Sequence, residues 1–132
     1  MILVDSNVWI DLIQRDARWV EWSLDQIKAA RRLGALVVNP VIRAELAAAY
    51  DDPGDLDLFL RTAKAVDKPF SAAAAYAAGR AFLQYRRRRG TKTGVLPDFF
   101  IGAHAQTEGW TLLTRYASRY QTYFPSVSLI CP

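Results

Sequence analysis

The feature that most constrains the fold is a series of short apolar runs that alternate with longer segments of helical periodicity. The first run, Met1–Val4, stops abruptly at Asp5, and three later runs cover 35–38, 111–113 and 127–130. Runs this short and this apolar are typical of strands buried on both faces of a sheet. Strands that alternate with helices predict an α/β class domain, a three-layer α/β/α sandwich around a mainly parallel central sheet.

The intervening segments carry apolar residues at helical spacing. They predict helices over 6–14, 18–33, 40–50, about 54–63, 72–89 and 97–108, with a possible brief strand at 68–70. Gly34, Gly90 and Gly109 follow three of these segments, where helices commonly end. In a parallel sheet the working residues lie beyond the carboxyl ends of the strands, and Asp5 and Thr114 both occupy such positions.

Length and composition favour one cytoplasmic domain spanning residues 1–132. A chain of 132 residues has room for one core. Its single cysteine, Cys131, has no internal disulfide partner, as expected in a reducing compartment. Neither a signal peptide nor a membrane-spanning segment is expected. The formal charge of +4 is compatible with a polyanionic partner but does not specify one.

Three acidic residues stand in surroundings that suggest chemistry. Asp5 follows the first strand, Glu45 lies within an apolar helical segment, and Asp98 opens the helix after Pro97. Individually, Asp5 and Asp98 are equally well explained as helix caps and Glu45 as a solvated side chain. Together, converging carboxylates would repel one another, and a divalent cation relieves that repulsion. Their oxygens suit magnesium or manganese better than zinc.

The order of the motifs resembles a known family. Leu3–Ile10, Ala44–Leu46 and Leu96–Ala105 resemble the three acidic motifs of the PIN-domain family. Leu112–Arg115, followed by Tyr123–Pro125, resembles the closing segment of VapC-type toxins. The resemblance covers essentially the whole chain. It implies an endoribonuclease acting on single-stranded or structured RNA, the toxin of a type II toxin–antitoxin pair, which forms a homodimer and is held inactive by a VapB-type antitoxin.

The same resemblance implies roles for individual residues. Asp5, Glu45 and Asp98 would be catalytic and would hold Mg²⁺, or Mn²⁺, directly or through water. The cation would polarise a phosphodiester oxygen and activate a water molecule. Asn7 and Thr114 match polar positions that orient the cofactor or water, although Asn7 suits a helix start equally well.

One position departs from the family pattern. The closing motif commonly carries an acid after its Thr-Arg pair, and this chain has Tyr116 there. A tyrosine is neutral at pH 7 and ligates magnesium poorly. The departure predicts weakened or metal-selective cleavage. It also supports a second interpretation, a degenerate PIN domain that binds RNA or a protein without cutting.

Basic and aromatic residues add weaker signals. Arg86–Arg89 and Lys92 lead towards Asp98 and would guide RNA phosphate, although cations at a helix C-terminus are also stabilised by the helix dipole. Trp19 and Trp22 share a helical face, which favours core packing or, under the resemblance, a groove for an antitoxin helix. Without a second histidine or a cysteine pair nearby, His104 is expected to pack or to face solvent, not to bind zinc.

A haloacid-dehalogenase-like phosphatase is the third interpretation, and it would also place an aspartate after its first strand. That family usually has a second aspartate two residues later, where this chain has Asn7. Its catalytic lysine and late acidic pair have no clear counterparts here.

Overall fold

The structure is a computed structural model, and it describes residues 1–94 and 96–132. Its centre is a five-stranded sheet, parallel throughout, in the order β3-β2-β1-β4-β5. The strands are β1 Ile2–Val4, β2 Leu36–Val38, β3 Val66–Asp67, β4 Thr111–Leu113 and β5 Leu129–Ile130. The helices are α1 Ser6–Ile13, α2 Val20–Leu33, α3 Pro40–Leu46, α4 Pro53–Thr62, α5 Ala72–Arg87, α6 Pro97–Glu108 and α7 Ser118–Tyr123. The predicted α/β sandwich with a parallel sheet is therefore confirmed.

The register of β1 against β4 places the candidate site. Val4 pairs with Leu113, so the residues that follow them, Asp5 and Thr114, emerge side by side at the carboxyl edge of the sheet. Strands β1 and β2 are apolar and buried, and so are Leu112 and Leu113 of β4, whereas β3 at one edge is exposed and β5 at the other is half-buried. Burial on both faces explains why the central strands are continuous apolar runs in the sequence.

Local differences from the sequence prediction have physical causes. Helix α2 begins at Val20, two residues later than predicted, and it buries Ser23 while Leu24 is 39% exposed. The Ser23 hydroxyl donates to Oδ2 of buried Asp11 at 2.6 Å, and this hydrogen bond explains why a polar residue lies on the buried side of α2. Helix α3 ends at Leu46 and continues as a short 3₁₀ turn, Ala47–Ala49. Strand β3 lies just before the segment 68–70, and the sequence did not predict α7.

Helix α6 packs closely because of one glycine. A Cβ on Gly102 would lie 2.3 Å from the ring of Phe124, so only glycine lets that ring rest on the helix. The helix starts with Pro97 in its first turn and ends at Gly109, whose φ of +70° suits a left-handed cap. Phe124 is thereby packed closely on α6, the helix whose first turn carries Asp98. No helix in the described ranges is long and apolar enough to span a bilayer.

Candidate active site

Asp5 is the centre of the candidate site. Its side chain is 3% exposed, and its Oδ2 accepts hydrogen bonds from Thr114 Oγ1 at 2.8 Å, Tyr120 Oη at 2.9 Å and Asn7 Nδ2 at 2.9 Å. Asp5 occupies the N-cap position of α1 but makes no side-chain capping hydrogen bond there. By contrast, Asn39 caps α3 through its side chain, which accepts from the Ile42 amide. The carboxylate of Asp5 is therefore directed into a polar cluster and does not cap the helix.

Thr114 and Asn7 lie where the sequence predicted and contact each other. Asn7 Nδ2 donates to Thr114 Oγ1 at 3.3 Å, and Asn7 Oδ1 accepts from the Arg115 amide at 3.0 Å. Asn7 thus ties the first turn of α1 to the segment after β4. Both side chains reach Asp5 as donors, and they orient this carboxylate.

Glu45 reaches the cluster through Ser6. The Ser6 hydroxyl donates to Glu45 Oε1 at 2.5 Å and lies 3.4 Å from Oδ1 of Asp5. Glu45 stands within an apolar stretch of sequence, but it lies on the exposed side of α3, whereas Ile42 and Leu46 are buried. Its carboxylate nevertheless points towards the carboxyl edge of the sheet, where a serine bridges it to Asp5.

Asp98 lies in the first turn of α6, with Leu96 at the N-cap position. Its Oδ2 accepts a hydrogen bond of 3.3 Å from Nη1 of Arg119, and the two side chains are 41% and 34% exposed. Asp98 is therefore partly open to solvent and is held by a cation of the same chain.

The electrostatics show that the three acids face a common region. Burial raises the pKa of Asp5 and the charge of Asp98 adds to it, while hydrogen bonds from Thr114 and Tyr120 oppose the rise. Burial also raises the pKa of Glu45, with further contributions from the charges of Asp5 and Asp98. The pKa of Tyr120 lies well above its usual value because of burial and, next, the negative charge of Asp5. A cation in this region would offset that repulsion.

The donor set fits a hard divalent cation, but the carboxylates have other partners. Within residues 1–94 and 96–132, no group of three or more acidic, histidine or cysteine side chains is arranged so that it could hold a metal ion. Glu45 is bound to Ser6, and Asp98 to Arg119. All three candidate ligands are carboxylates, the donors that magnesium and manganese prefer. Their chemistry matches such an ion, which would compete with Ser6 and Arg119.

Tyr116 does not contribute to the acidic cluster. Its side chain is 62% exposed, and its hydroxyl accepts from Arg115 Nη1 at 3.2 Å. Only its backbone amide reaches the site, donating to Thr114 Oγ1 at 3.1 Å. The position that carries an acid in the family pattern therefore supplies no carboxylate here.

Sequence reasoning missed four residues around the site: Ser6, Asp11, Arg119 and Tyr120. Asp11 is 1% exposed and accepts two hydrogen bonds from Arg115, at 2.7 and 2.9 Å. The available sequence signal for Asp11 was an acid between the apolar residues Ile10 and Leu12 of the first helix. The sequence contained no comparable signal for Tyr120, which lies in a short polar helix.

His104 and the tryptophans of the first two helices lie outside the acidic cluster. His104 is 1% exposed and its Nδ1 lies 3.1 Å from Asn39 Nδ2, so it packs, as one of its two interpretations predicted. Trp9 is fully buried in the core. Trp19 and Trp22 contact each other edge to face at 5.8 Å, and Arg115 lies over Trp19 at 5.0 Å.

The protein is a parallel α/β domain with acidic side chains at the carboxyl edge of its sheet. The PIN domain family model matches residues 2–116. The chain belongs to the PIN-domain family. No curated protein sequence matches it.

Solved structures share the whole fold. A chain of VapBC2 from Rickettsia felis, bound to a DNA fragment from their promoter, has a TM-score of 0.74 at 20% identity, covering 100% of this chain and 99% of that chain. VapBC-1 from nontypeable Haemophilus influenzae has a TM-score of 0.69 at 19% identity, with coverage of 99% and 98%. FitAcB from Neisseria gonorrhoeae has a TM-score of 0.62 at 20% identity, with coverage of 98% and 96%.

Proposed function

We propose that this chain is a Mg²⁺- or Mn²⁺-dependent endoribonuclease and the toxin of a VapBC-like toxin–antitoxin pair. The observation that carries the proposal is the buried Asp5 carboxylate, held by three donors at the carboxyl edge of the sheet and facing Glu45 and Asp98. Membership of the PIN-domain family supports a nuclease. Similarity in fold to toxin–antitoxin complexes supports the toxin role.

The two oxygens of Asp5 have different tasks. Oδ2 is occupied by Thr114, Asn7 and Tyr120, so the rotation of the carboxylate is restricted. Oδ1 is directed towards Ser6 and, through it, towards Glu45. Asp5 therefore presents one oxygen to the region that it shares with the other acids, at little cost in side-chain entropy.

Asp5, Glu45 and Asp98 would hold the cation, directly or through water. When bound, the cation polarises the scissile phosphate and lowers the pKa of an attacking water. Thr114 and Tyr120 keep Asp5 oriented and favour its charged form through their hydrogen bonds. Asn7 holds the Thr114 segment against α1, so it preserves the distance between these groups.

The partner proposals rest on the family and on one surface. A VapB-type antitoxin would cover the site, and the chain would form a homodimer in the cytoplasm. An apolar cavity of about 390 Å³ lies between α3 and α6 and includes Glu45. It is lined by Pro40, Val41, Ala44, Glu45, Pro97 and Phe100. Apolar side chains of an antitoxin would fit there and block approach to Glu45.

An RNA cleavage assay in Mg²⁺, Mn²⁺ and EDTA tests the proposal. Asp5→Ala and Asp98→Ala are expected to lose cleavage, and EDTA is expected to abolish it in the unaltered protein. Asp25→Ala removes an exposed acid of α2 and serves as the matched control, with activity retained. Cleavage that persists in EDTA or in both site variants would contradict the proposal.

The second candidate is a degenerate PIN domain that binds RNA without cutting. Its support is Tyr116, which faces solvent where the family pattern has an acid. It predicts RNA binding without cleavage in either cation, and Tyr116→Asp would then restore activity. Unchanged cleavage and cation affinity in Tyr116→Asp would show that this position does not limit the site. The family assignment argues against the phosphatase interpretation.

A further inference from the structure

Arg119 differs from the other arginines that pair with acids. Arg115 directs two nitrogens to Asp11, at 2.7 and 2.9 Å, and a third to the Tyr116 hydroxyl. Arg43 donates to both Asp57 and Asp67 at distances of 2.6 to 2.9 Å. In the described part of the chain, the Arg119 side chain makes one hydrogen bond, of 3.3 Å, to Asp98. Since a guanidinium has five N–H groups, most of its donors are available to a ligand.

The Arg119 guanidinium is nevertheless held in position. It lies over the ring of Tyr85 at 5.6 Å and over that of Phe99 at 5.5 Å. Both rings belong to the α5–α6 core, and they contact each other at 5.6 Å. Cation–π contacts of this kind orient a guanidinium without using its N–H groups. Arg119 is therefore a pre-positioned donor next to Asp98.

Arg119 lines a cleft of about 240 Å³ whose other walls are Tyr85, Ser118, Thr122 and Tyr123. None of the described residues that line it is acidic, and Asp98 contacts it only through its hydrogen bond with Arg119. Arg88, from the basic run that ends α5, lies over the ring of Tyr123 at 5.4 Å. The cleft therefore combines the Arg119 guanidinium with hydroxyl groups, and Arg88 contacts one of its walls, Tyr123. Guanidinium and hydroxyl donors together recognise phosphate.

The loop after α5 is bound to this face through its backbone. The Tyr85 hydroxyl accepts from the backbone amides of Thr91 and Lys92, at 3.2 and 3.3 Å. Arg86 Nη1 donates to the Lys92 carbonyl at 2.7 Å. These contacts hold the loop beside the cleft. The basic run is thus divided, with Arg86 fastening the loop and Arg88 facing Tyr123.

We propose that this cleft is a phosphate-binding subsite for an RNA strand, in which Arg119 leaves Asp98 to bind a backbone phosphate beside the scissile one. The proposal rests on the proposed nuclease function. A partly exposed ion pair with one long hydrogen bond contributes little stability. Arg119 can therefore exchange Asp98 for a phosphate partner at a small cost in free energy. A divalent cation at Asp98 would also repel the guanidinium and favour the exchange further, although the exchange does not require the cation.

RNA binding in EDTA tests the subsite without cleavage. The probe is a short fluorescein-labelled single-stranded RNA, followed by fluorescence anisotropy over a range of salt concentrations. Arg119→Gln is expected to raise Kd about tenfold and to reduce the slope of log affinity against log salt by about 0.7, the contribution of one phosphate contact on a single strand. Arg119→Lys retains the charge and is expected to keep the slope.

Arg32→Gln is the matched control, since it removes an exposed arginine at the far end of α2. Equal Kd and equal salt slope in Arg119→Gln and Arg32→Gln would overturn the subsite. If the unaltered protein then still cleaves RNA in Mg²⁺ or Mn²⁺, the nuclease proposal stands alone. Binding that depends on Arg119 without any cleavage would instead support the subsite and overturn the nuclease proposal. An unaltered protein that neither binds RNA in EDTA nor cleaves it in Mg²⁺ or Mn²⁺ would overturn both.

Discussion

The hydroxyl of Thr114 donates a hydrogen bond of 2.8 Å to Oδ2 of Asp5, although 109 positions separate the two residues in the sequence. The contact follows from the sheet, because β1 and β4 are parallel neighbours whose last residues, Val4 and Leu113, are paired. Thr114 also accepts hydrogen bonds from Asn7 Nδ2 and from the Tyr116 amide. One buried hydroxyl therefore connects three parts of the candidate site.

Thr114→Val tests how much the Thr114 hydroxyl contributes to stability, since the variant keeps the shape of the side chain. Valine fills the same space but leaves the Tyr116 amide without its acceptor and Asp5 without one of its donors. We expect a loss of about 2 kcal/mol in the free energy of unfolding. Thr114→Ser retains the hydroxyl and should lose less, about 1 kcal/mol for the buried methyl group. Urea denaturation in EDTA measures both. Equal losses in the two variants would mean that the hydroxyl contributes nothing.

Tyr120→Phe should weaken cation binding more than folding. The variant removes one of the three donors to Oδ2 of Asp5 and leaves the buried ring in place. Partners that orient a metal ligand commonly affect affinity by about tenfold, so we expect a loss of that size in Mn²⁺ affinity. Isothermal titration calorimetry provides the measurement. Tyr76→Phe, at a tyrosine 72% exposed on α5, is the control, and equal affinities in the two variants would refute the expectation.

Asp5→Asn should stabilise the protein at neutral pH in EDTA. Folding raises the pKa of Asp5 above its ordinary value of 3.8, chiefly through burial, so the folded chain binds this proton more tightly than the unfolded chain. Ionisation of Asp5 therefore costs stability as the pH rises from 3.8 through the raised pKa, and the full cost applies above it. Asparagine stays neutral and avoids this cost.

Thermal unfolding at several pH values checks the sign. The advantage of Asp5→Asn over the unaltered protein should grow from pH 4 to neutral pH, whereas exposed Asp25→Asn should show no such trend. Added Mn²⁺ should raise the Tm of the unaltered protein and not that of Asp5→Asn. A growing disadvantage of Asp5→Asn with pH would show that the hydrogen bonds to Asp5 outweigh its burial.

Arg115→Met should be strongly destabilising. Asp11 is 1% exposed, and Arg115 is the cation that compensates its charge, with Ser23 as a further donor. An acid left buried without its cation costs about 3 kcal/mol. The double variant Arg115→Met with Asp11→Leu should recover part of the stability lost in Arg115→Met. A double-mutant cycle of unfolding free energies, measured by urea denaturation, tests this. Additive losses would show that the two side chains do not interact.

His104→Gln should remove a pH dependence between mildly acidic and neutral pH. Burial lowers the pKa of His104 below its ordinary 6.5, against a smaller opposing effect of Glu108, so the folded state favours the neutral ring. Its stability contribution is complete above pH 6.5 and is lost as the pH falls through the lowered pKa. The difference in unfolding free energy between the two proteins should therefore change as the pH falls below 6.5. A constant difference would contradict this role.

The sequence predicted the positions that follow directly from the order of strands in the sheet. Asp5 and Thr114 follow apolar runs at strand ends, and in a parallel sheet such positions meet at one edge whatever the intervening loops do. Glu45 and Asp98 are candidates that came from the ordered motifs. The apolar segment around Glu45 did not reveal which side of α3 it occupies, because apolar Val41 and Ala44 line the same cavity as Glu45.

The residues that complete the site were beyond sequence reasoning for a physical reason. Tyr120 and Arg119 lie on α7, a six-residue helix whose sequence has mixed polarity and no apolar period. Tyr120 contacts Asp5 across 115 positions, and Ser6 contacts Glu45 across 39. Contacts of this kind depend on how α1, α3 and α7 pack on the sheet edge, which local patterns do not encode.

The most direct test of the central claim is a calorimetric titration of the protein with Mn²⁺, comparing Asp5→Asn, Glu45→Gln and Asp98→Asn with the Asp25→Asn control. We predict that the unaltered protein and the control bind Mn²⁺ alike and that each of the three site variants binds at least about tenfold more weakly. No binding by the unaltered protein, or equal binding by all the variants, would contradict the claim that these three carboxylates form a cation site.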